Sequence, residues 1–258
     1  MSLRLITLGS GSAGNASVVT DGTTSVLIDA GIAARTLTAR LEAAEIAPAS
    51  LHAILLTHEH GDHTSGLQNF TKKQPLPIFA NPPTAHVLKS GVMGDYPHWN
   101  LFETGSRFAI GSISVDTFPV PHDAADPVGF VLESGGISIG ILTDLGYSTN
   151  LVVERIRGVS TLYIEANHDA KLLQEDLKRP WSVKQRILSR HGHLSNDAAA
   201  QLVLQAAGHQ LSCVVAGHLS RDCNSVNLVE EAFRRVLTSG GLGHIRVVCA
   251  PPDAVMRF

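Results

Sequence analysis

The stretch Thr57-His58-Glu59-His60-Gly61-Asp62-His63 is the densest run of possible metal ligands in the chain. The imidazoles of His58, His60 and His63 and the carboxylate of Asp62 cannot share one face of a helix or a strand. They converge only if the backbone turns sharply among them, and Gly61 permits such a turn. Neutral imidazole nitrogens and a carboxylate are ligands that zinc, manganese and iron accept, so a metal is what gives the convergence a purpose. A single His in a chain that holds 13 of them carries little meaning, and structural roles are the commoner explanation. The spacing is what distinguishes this stretch.

The apolar run Ala53 to Leu56, bounded by Pro48 and Gly61, reads as a buried strand that delivers the polar loop. Around it the sequence predicts alternating strands and helices. Leu3 to Leu8 forms a strand that ends in the glycine-rich loop Gly9 to Asn15. Val18 to Thr20 and Ser25 to Asp29 form a hairpin around Asp21-Gly22. No GK[ST] follows the glycine-rich loop, which excludes a P-loop. Asp29 closes its strand where it can accept hydrogen bonds that brace the metal loop. Helices are expected over residues 33–45 and 64–70, then from Pro82 onward, and residues 91–105 read as a surface connection. Residues 107–120 and 129–143 alternate as antiparallel strands. Later come a helix over 149–156, a strand over 161–166, an alanine-rich helix capped by Ser195, a strand over 213–216, a helix over 226–237 and a final strand over 245–249.

With 258 residues and no linker or composition break, one domain spanning 1–258 is expected. The net charge of −3 argues mildly against a general nucleic-acid binder. Its distribution says more: residues 171–193 hold six Lys or Arg against two carboxylates, a local basic segment. No apolar run approaches the roughly 20 residues of a membrane span, and the start Met1-Ser2-Leu3-Arg4 has no signal-peptide core, so a cytoplasmic protein is expected. Cys213, Cys223 and Cys249 show no CxxC spacing, so neither a disulfide framework nor a thiolate zinc site is indicated.

The HxHxDH pattern at His58 to His63 resembles the signature of the metallo-β-lactamase superfamily. That resemblance implies an α/β (α+β) fold, a four-layer αββα sandwich with a dinuclear metal site along one edge. His122, after Pro119-Val120-Pro121, and Asp144, at the end of Gly140-Ile141-Leu142-Thr143, stand where superfamily members place the third His and the bridging Asp. His218, after Cys213 to Ala216, stands where they place the last His. The implied set is His58, His60 and His122 on one ion and Asp62, His63 and His218 on the other, with Asp144 bridging. The implied cofactor is a pair of divalent ions, zinc or manganese, with iron also compatible.

Glu165-Ala166, Gly192-His193-Leu194-Ser195 and Gly217-His218-Leu219-Ser220-Arg221 resemble blocks of ribonuclease Z and its phosphodiesterase relatives. There a Glu and His pair donates a proton to the leaving oxygen, a role that falls here on Glu165 and His193, so Asp62, Glu165 and His193 form the implied catalytic set. The combination LGSGSxGN, THEHxDH, VPHDA, EANHD, PWSxKQRI, GHLSN and GHLSRD is similar to the YycJ (WalJ) family, and the resemblance runs from Gly9 to Asp222. Members of that family are associated with 5′ to 3′ exonuclease activity on double-stranded DNA, which implies a DNA substrate. Arg221-Asp222-Cys223-Asn224 and Lys178-Arg179-Pro180 depart from the family pattern and bear on substrate detail.

His168, Lys184, Arg186, Ser220 and Asn224 are candidate site-lining residues. His168 either lines the site or caps its strand end. Trp181, Lys184 and Arg186 either stack on a base and hold phosphates, or Trp181 anchors the helix after Pro180. The expected activity is that of a metal-dependent phosphodiester hydrolase, a YycJ-like DNA exonuclease. The alternatives are a small-molecule cyclic phosphodiesterase and, from another class, a non-catalytic binding module. A length of 258 residues leaves little room for the protruding arm of ribonuclease Z, and the interval from Asp144 to His218 is too short for the clamp domain of ribonuclease J, so neither activity is expected.

Overall fold

Along Val26-Leu27-Ile28, successive side chains point to opposite faces, and all are apolar. Such a strand must be covered on both sides. Ala53-Ile54-Leu55 has the same character, and the two pair in parallel at the centre of a sheet. The computed structural model describes residues 2–258. Its first sheet contains β1 (Arg4–Gly9), β2 (Ala16–Thr20), β3 (Ser25–Ile28), β4 (Ala53–Leu55), β5 (Ile78–Ala80) and β6 (Trp99–Leu101). The second contains β7 (Arg107–Ile110), β8 (Ile113–Pro119), β9 (Val128–Ser134), β10 (Ile137–Leu142), β11 (Thr161–Glu165), β12 (Cys213–Gly217) and β13 (Arg246–Cys249). The last strand, β14 (Met256–Arg257), returns to pair with β1. The helices are α1 (Ala34–Ala43), α2 (Gly61–Thr64), α3 (Leu67–Thr71), α4 (Pro82–Ser90), α5 (Asn150–Ile156), α6 (Ala170–Glu175), α7 (Trp181–Ile187), α8 (Asn196–Ala206) and α9 (Val226–Ser239).

Period-two alternation sorts the apolar side chains into three layers. Val26, Ile28 and Leu55 of the first sheet meet Val115, Phe130, Ile141 and Val215 of the second. Leu27 and Ile54 point the other way and are covered by Leu37 and Leu41 of α1, Phe70 of α3 and Leu88 of α4. Leu162, Ile164 and Val214 are covered by Val152 of α5, Val203 of α8 and Phe233 of α9. The result is the expected αββα sandwich.

Three local expectations change. The helix expected over 64–70 begins earlier, at Gly61, and breaks at Ser65-Gly66, where a side chain on Gly66 would stand 2.0 Å from the Ile32 carbonyl. Residues 91–105 contain the edge strand β6, whose exposed Asn100 and Leu101 give it no alternating signature. Strand β14 has only two residues and exists because β1 offers it a free edge.

Parallel pairing sets the direction of the site. Strands β3 and β4 run together in one sheet and β10, β11 and β12 in the other. Their carboxyl ends carry Asp29, His58, Asp144, Glu165 and His218 to one edge, where open α/β sheets bind their ligands.

At the opposite end, Asp21 fastens the two sheets together. Its Oδ1 accepts from the Thr23 and Thr24 N–H groups at 2.9 and 2.8 Å. Its Oδ2 accepts from Ser112 Oγ, in the turn between β7 and β8, and from Ser134 Oγ, at the end of β9, at 2.5 and 2.8 Å. Burial pushes the carboxyl up, but these donors together hold it well below the usual carboxylate range. Asp21→Ala is expected to cost about 1–3 kcal/mol at pH 7 and to leave the site intact. A group with a depressed pKa stabilises the fold above its unfolded value, near 3.9, and loses that contribution as pH falls toward the folded one. Urea titrations of both proteins at pH 7 and pH 3 should therefore show the gap narrowing in acid, and a constant gap would contradict the ionised clamp.

Candidate metal centre

The loop after β4 is held from beneath by Asp29. Its Oδ1 accepts from the Thr57 N–H at 2.9 Å, and its Oδ2 accepts from Thr57 Oγ1 and His63 Nδ1 at 2.8 and 2.7 Å. Asp29 itself sits at φ 57, a left-handed conformation that non-glycine residues rarely adopt. His218 is the other site residue so placed, at φ 55. Its N–H donates to Ser10 Oγ at 2.8 Å, and that hydroxyl pairs with Tyr163 OH at 2.7 Å. Both departures are retained because several hydrogen bonds fix them, as is common where a site needs an exact geometry.

The glycine-rich loop that follows β1 is the floor of this arrangement. Asn15 N–H donates to the Asp62 carbonyl at 2.7 Å, and the Asn15 carbonyl accepts from Gly31 N–H at 2.9 Å. Asn15 Nδ2 lies 3.2 Å from His63 Nε2. A Cβ on Gly31 would fall 1.7 Å from the Asp62 carbonyl oxygen, so the position has no room for a side chain.

Two groupings of ligand atoms hold the sequence candidates, His58, His60, His122 and Asp144, and Asp62, His63, Asp144 and His218, and a third, Asp144, Glu165, His193 and His218, overlaps the second. In each, all ligand atoms lie within 4.8 Å of one another. The seven residues that the sequence singles out are thus brought together, and Asp144 belongs to all three groupings. Hydrogen bonds identify the free nitrogens. A carbonyl can only accept, so His122 Nδ1 donates to Gly192 O at 3.0 Å and His60 Nε2 to Asp123 O at 3.2 Å. The remaining atoms, His122 Nε2 and His60 Nδ1, then face each other with lone pairs at 3.2 Å. Two lone pairs at that distance repel unless a cation lies between them. His58 Nε2, Asp144 Oδ1 and His218 Nδ1 are buried without a hydrogen-bond partner. The last two approach to 2.6 Å without aligning as a hydrogen bond. This set of donors fits divalent cations.

Electrostatics divides the imidazoles. Burial, reinforced by the neighbouring His63, holds His58 well below the ordinary imidazole value, and burial likewise lowers His122. Burial also disfavours charge on His63 and His218, but Asp144 outweighs it, lifting His63 well above the ordinary value and His218 to about 10. Asp144 in turn is held well below the carboxylate range against the push of burial by these two imidazoles. A cation entering here replaces protons on His63 and His218. Loading at pH 7 is therefore expected to release protons, and apparent affinity to fall as pH is lowered. Calorimetric titration in two buffers of different ionisation heat measures this directly, and identical heats would rule the exchange out.

Beside the first two groupings, Glu165 is fully buried at the end of β11. Its Oε1 accepts from the N–H groups of Leu145 and Leu194 at 2.6 and 3.0 Å, and its Oε2 from His193 Nδ1 at 3.0 Å. Burial disfavours the imidazolium of His193, yet the charge and hydrogen bond of Glu165 raise it above its ordinary value. His193 also lines a cleft of about 450 Å³ with Asp62, Asp144 and His218.

A family model described as a beta-lactamase superfamily domain matches residues 24–214. The chain is 33% identical over 245 residues to exodeoxyribonuclease YycJ of Bacillus anthracis, covering 94% of this chain and 92% of that one. The chain belongs to the beta-lactamase superfamily and, within it, to the YycJ/WalJ family. Exodeoxyribonuclease WalJ of Streptococcus pneumoniae is also 33% identical, over 239 residues, with 92% of this chain and 88% of that one covered. The crystal structure of the metallo-beta-lactamase fold protein YhfI from Bacillus subtilis superposes with a TM-score of 0.77 over 99% of this chain and 100% of that one, at 15% identity, a likeness of fold.

In this member of the YycJ/WalJ family the cleft also takes Ser12, Arg179, Val183 and Arg186. Arg186 and Ser220 line it, and Arg186 is paired with Asp123. Lys184 does not: it is buried, and its Nζ donates to the Gln174 carbonyl at 2.8 Å, because its position on α7 faces inward. His168 also stays outside the cleft. It is buried with neither ring nitrogen hydrogen-bonded, and burial pushes it down to about 4, so it is neutral. Trp181 is 63% exposed and anchors nothing. Arg179 was not evident from sequence; Asp176 and Asp222 hold it at 2.6 and 3.1 Å on the cleft wall. Asn224 pairs with Asn196 and lines a neighbouring cavity instead. Among the described residues no helix is long and apolar enough to cross a membrane.

Proposed function

We propose that this chain is a metal-dependent phosphodiester hydrolase that degrades DNA as an exonuclease. The observation that carries the reading is the pair of ligand groupings sharing Asp144, with the Glu165–His193 pair beside them. Kinship to proteins named exodeoxyribonucleases over nearly the whole chain supports DNA as the substrate. Two divalent ions, zinc or manganese, would be held by His58, His60, His122 and Asp144 and by Asp62, His63, Asp144 and His218. Iron is compatible with the same donors. Bound there, they supply a nucleophilic hydroxide at neutral pH and neutralise phosphate charge.

The chain's own residues do the rest. Asp29 fixes the orientation of His63 and leaves its Nε2 for a cation, and the Gly192 carbonyl fixes that of His122. Glu165 keeps Nδ1 of His193 protonated as a donor and raises the proton affinity of the ring. His193 is thereby suited to give a proton from Nε2 to the leaving oxygen. Arg179 and Arg186, held by Asp176, Asp222 and Asp123, present guanidinium N–H groups on the wall that a phosphate chain would follow.

The test is incubation of metal-loaded protein with end-labelled duplex DNA, single strands, a tRNA precursor and bis-p-nitrophenyl phosphate. Release of label from DNA is expected, and hydrolysis of the small ester alone would defeat the nuclease reading. His193→Ala is expected to lower turnover by about 10²–10⁴-fold, the usual range for general acid catalysis, with metal content unchanged. Parallel loss of metal in that variant would contradict the proton-donor role.

A further inference from the structure

A second cavity, about 520 Å³, opens beside the metal cleft. Its walls come from four separate segments: the glycine-rich loop after β1, the start of α1, the residues between β12 and α9, and the loop after β13. Ser12 and Ser220 line both spaces, so the two adjoin there. The volume falls within the roughly 300–1,000 Å³ that small-ligand pockets occupy. It is larger than the metal cleft itself, and none of the metal-ligand candidates lines it.

Its chemistry is mixed in a particular way. Ile32, Leu219, Val226 and Pro251 offer apolar surface for a flat ring. Two guanidiniums, Arg40 and Arg221, stand against one carboxylate, Asp253, which leaves the walls net positive. Arg40 is committed, since its Nη1 donates to the Leu8 and Pro252 carbonyls at 2.7 and 3.1 Å and so closes the wall. Arg221 is exposed and pairs with no carboxylate among the described residues. At Gly11 a Cβ would stand 3.5 Å from the Leu219 carbonyl and 3.8 Å from Pro252 Cβ, at the junction of these walls. Cys249 brings no nucleophile, because burial pushes its thiol up to about 12.

We propose that this cavity holds the deoxynucleoside unit next to the scissile phosphate, its base against the apolar walls and Arg221 on the adjoining phosphate. The proposal rests on the nuclease reading and sharpens it. A pocket of about one nucleotide beside the cations makes the released product a mononucleotide and makes an accessible strand end the preferred substrate. A lone nucleoside 5′-monophosphate has the same chemistry as that terminal unit and can enter from solution.

Two variants separate these sources from each other and from the metal site. Ala33 is exposed, lines the cavity and has an extended backbone at the start of α1 that accepts any side chain, so Ala33→Trp fills the space without strain. Arg221→Ala removes the free guanidinium. Calorimetry with 2′-deoxyadenosine 5′-monophosphate on the metal-loaded protein is expected to show affinity reduced about tenfold or more in both variants, the loss of one charge-assisted contact or of the ring's place. Inorganic phosphate, which needs only the cations and the cleft, should bind all three proteins alike. The KM for duplex ends should rise by at least about the same factor, with kcat on bis-p-nitrophenyl phosphate and the thermal midpoint unchanged.

Equal deoxyadenosine monophosphate affinity in wild type and variants would overturn the proposal, as would an equal fall in phosphate affinity. Weakened monophosphate binding with an unchanged KM for DNA would leave a site for the free nucleotide and overturn the strand-end assignment. If the wild type cleaves only the small ester, the nuclease reading fails, while the calorimetry still decides whether the cavity takes a nucleotide.

Discussion

Asp144→Ala is expected to abolish turnover and to strip the protein of bound metal. Asp144 is the one side chain that belongs to both groupings of sequence candidates, and it is the charge that balances the buried His63 and His218. Without it both groupings lose an oxygen at once. Two cations held in these groupings would contribute several kcal/mol to a phosphoryl transition state. A loss of about 4 kcal/mol is already a thousandfold in rate. The same change removes the largest stabilising charge from both buried imidazoles and leaves His63 with Asp29 and His218 with Asp62 and Glu165, so the raised pKa values fall. Metal analysis of the purified variant beside its activity on labelled duplex DNA measures the first effect. Metal content equal to wild type would show that Asp144 does not tie the groupings together.

Gly31→Ala is expected to be the most damaging change at a residue that bears no chemistry. The added methyl would stand 1.7 Å from the Asp62 carbonyl oxygen and 2.8 Å from the Asn15 backbone nitrogen, neither of which is the end of a flexible side chain. Relief requires the glycine-rich loop and α2 to move apart, which breaks the Asn15–Asp62 and Ala30–His63 backbone hydrogen bonds. Overpacking of this severity costs about 3 kcal/mol or more, and it displaces two ligands together. Thermal unfolding of the metal-free protein separates the two consequences. A midpoint shifted down by several degrees with metal affinity also lost is the expected pattern, and a wild-type midpoint would refute the close approach.

These positions differ in how they announce themselves. His58, His60, Asp62 and His63 are crowded into one short run after an apolar strand, and local density of ligands is visible in a linear chain. His122, Asp144 and His218 each end a strand, which makes them candidates, but their convergence depends on parallel pairing within one sheet and on the facing of two sheets. The resemblance of motifs supplied that step where periodicity could not. Glu165 and His193 likewise stand far apart in sequence, and the 3.0 Å contact between them comes from β11 ending under the turn before α8.

Other features left no readable trace. Lys184 and Arg186 look alike in a basic segment, yet helical geometry turns one inward to a carbonyl and the other to the cleft. Arg179 gains its place only through two carboxylates, one of them 43 positions away. Gly31 has an ordinary backbone conformation, so no turn signal marks it; the reason for glycine there is the passage of another segment. The edge strand β6 has an exposed face that hides its period.

Apolar residues recurring with strand and helix periods marked the elements in the linear chain, while the four-layer arrangement was implied by the resemblance of its motifs; the ligand types were visible too, since four crowd behind one apolar run and three others each follow one of their own. Which lone pairs meet, which cations on α7 reach the cleft and where a second cavity opens were settled by the packed fold. Those outcomes depend on distances between segments remote in the chain, and such distances are set by packing of whole layers rather than by any local preference.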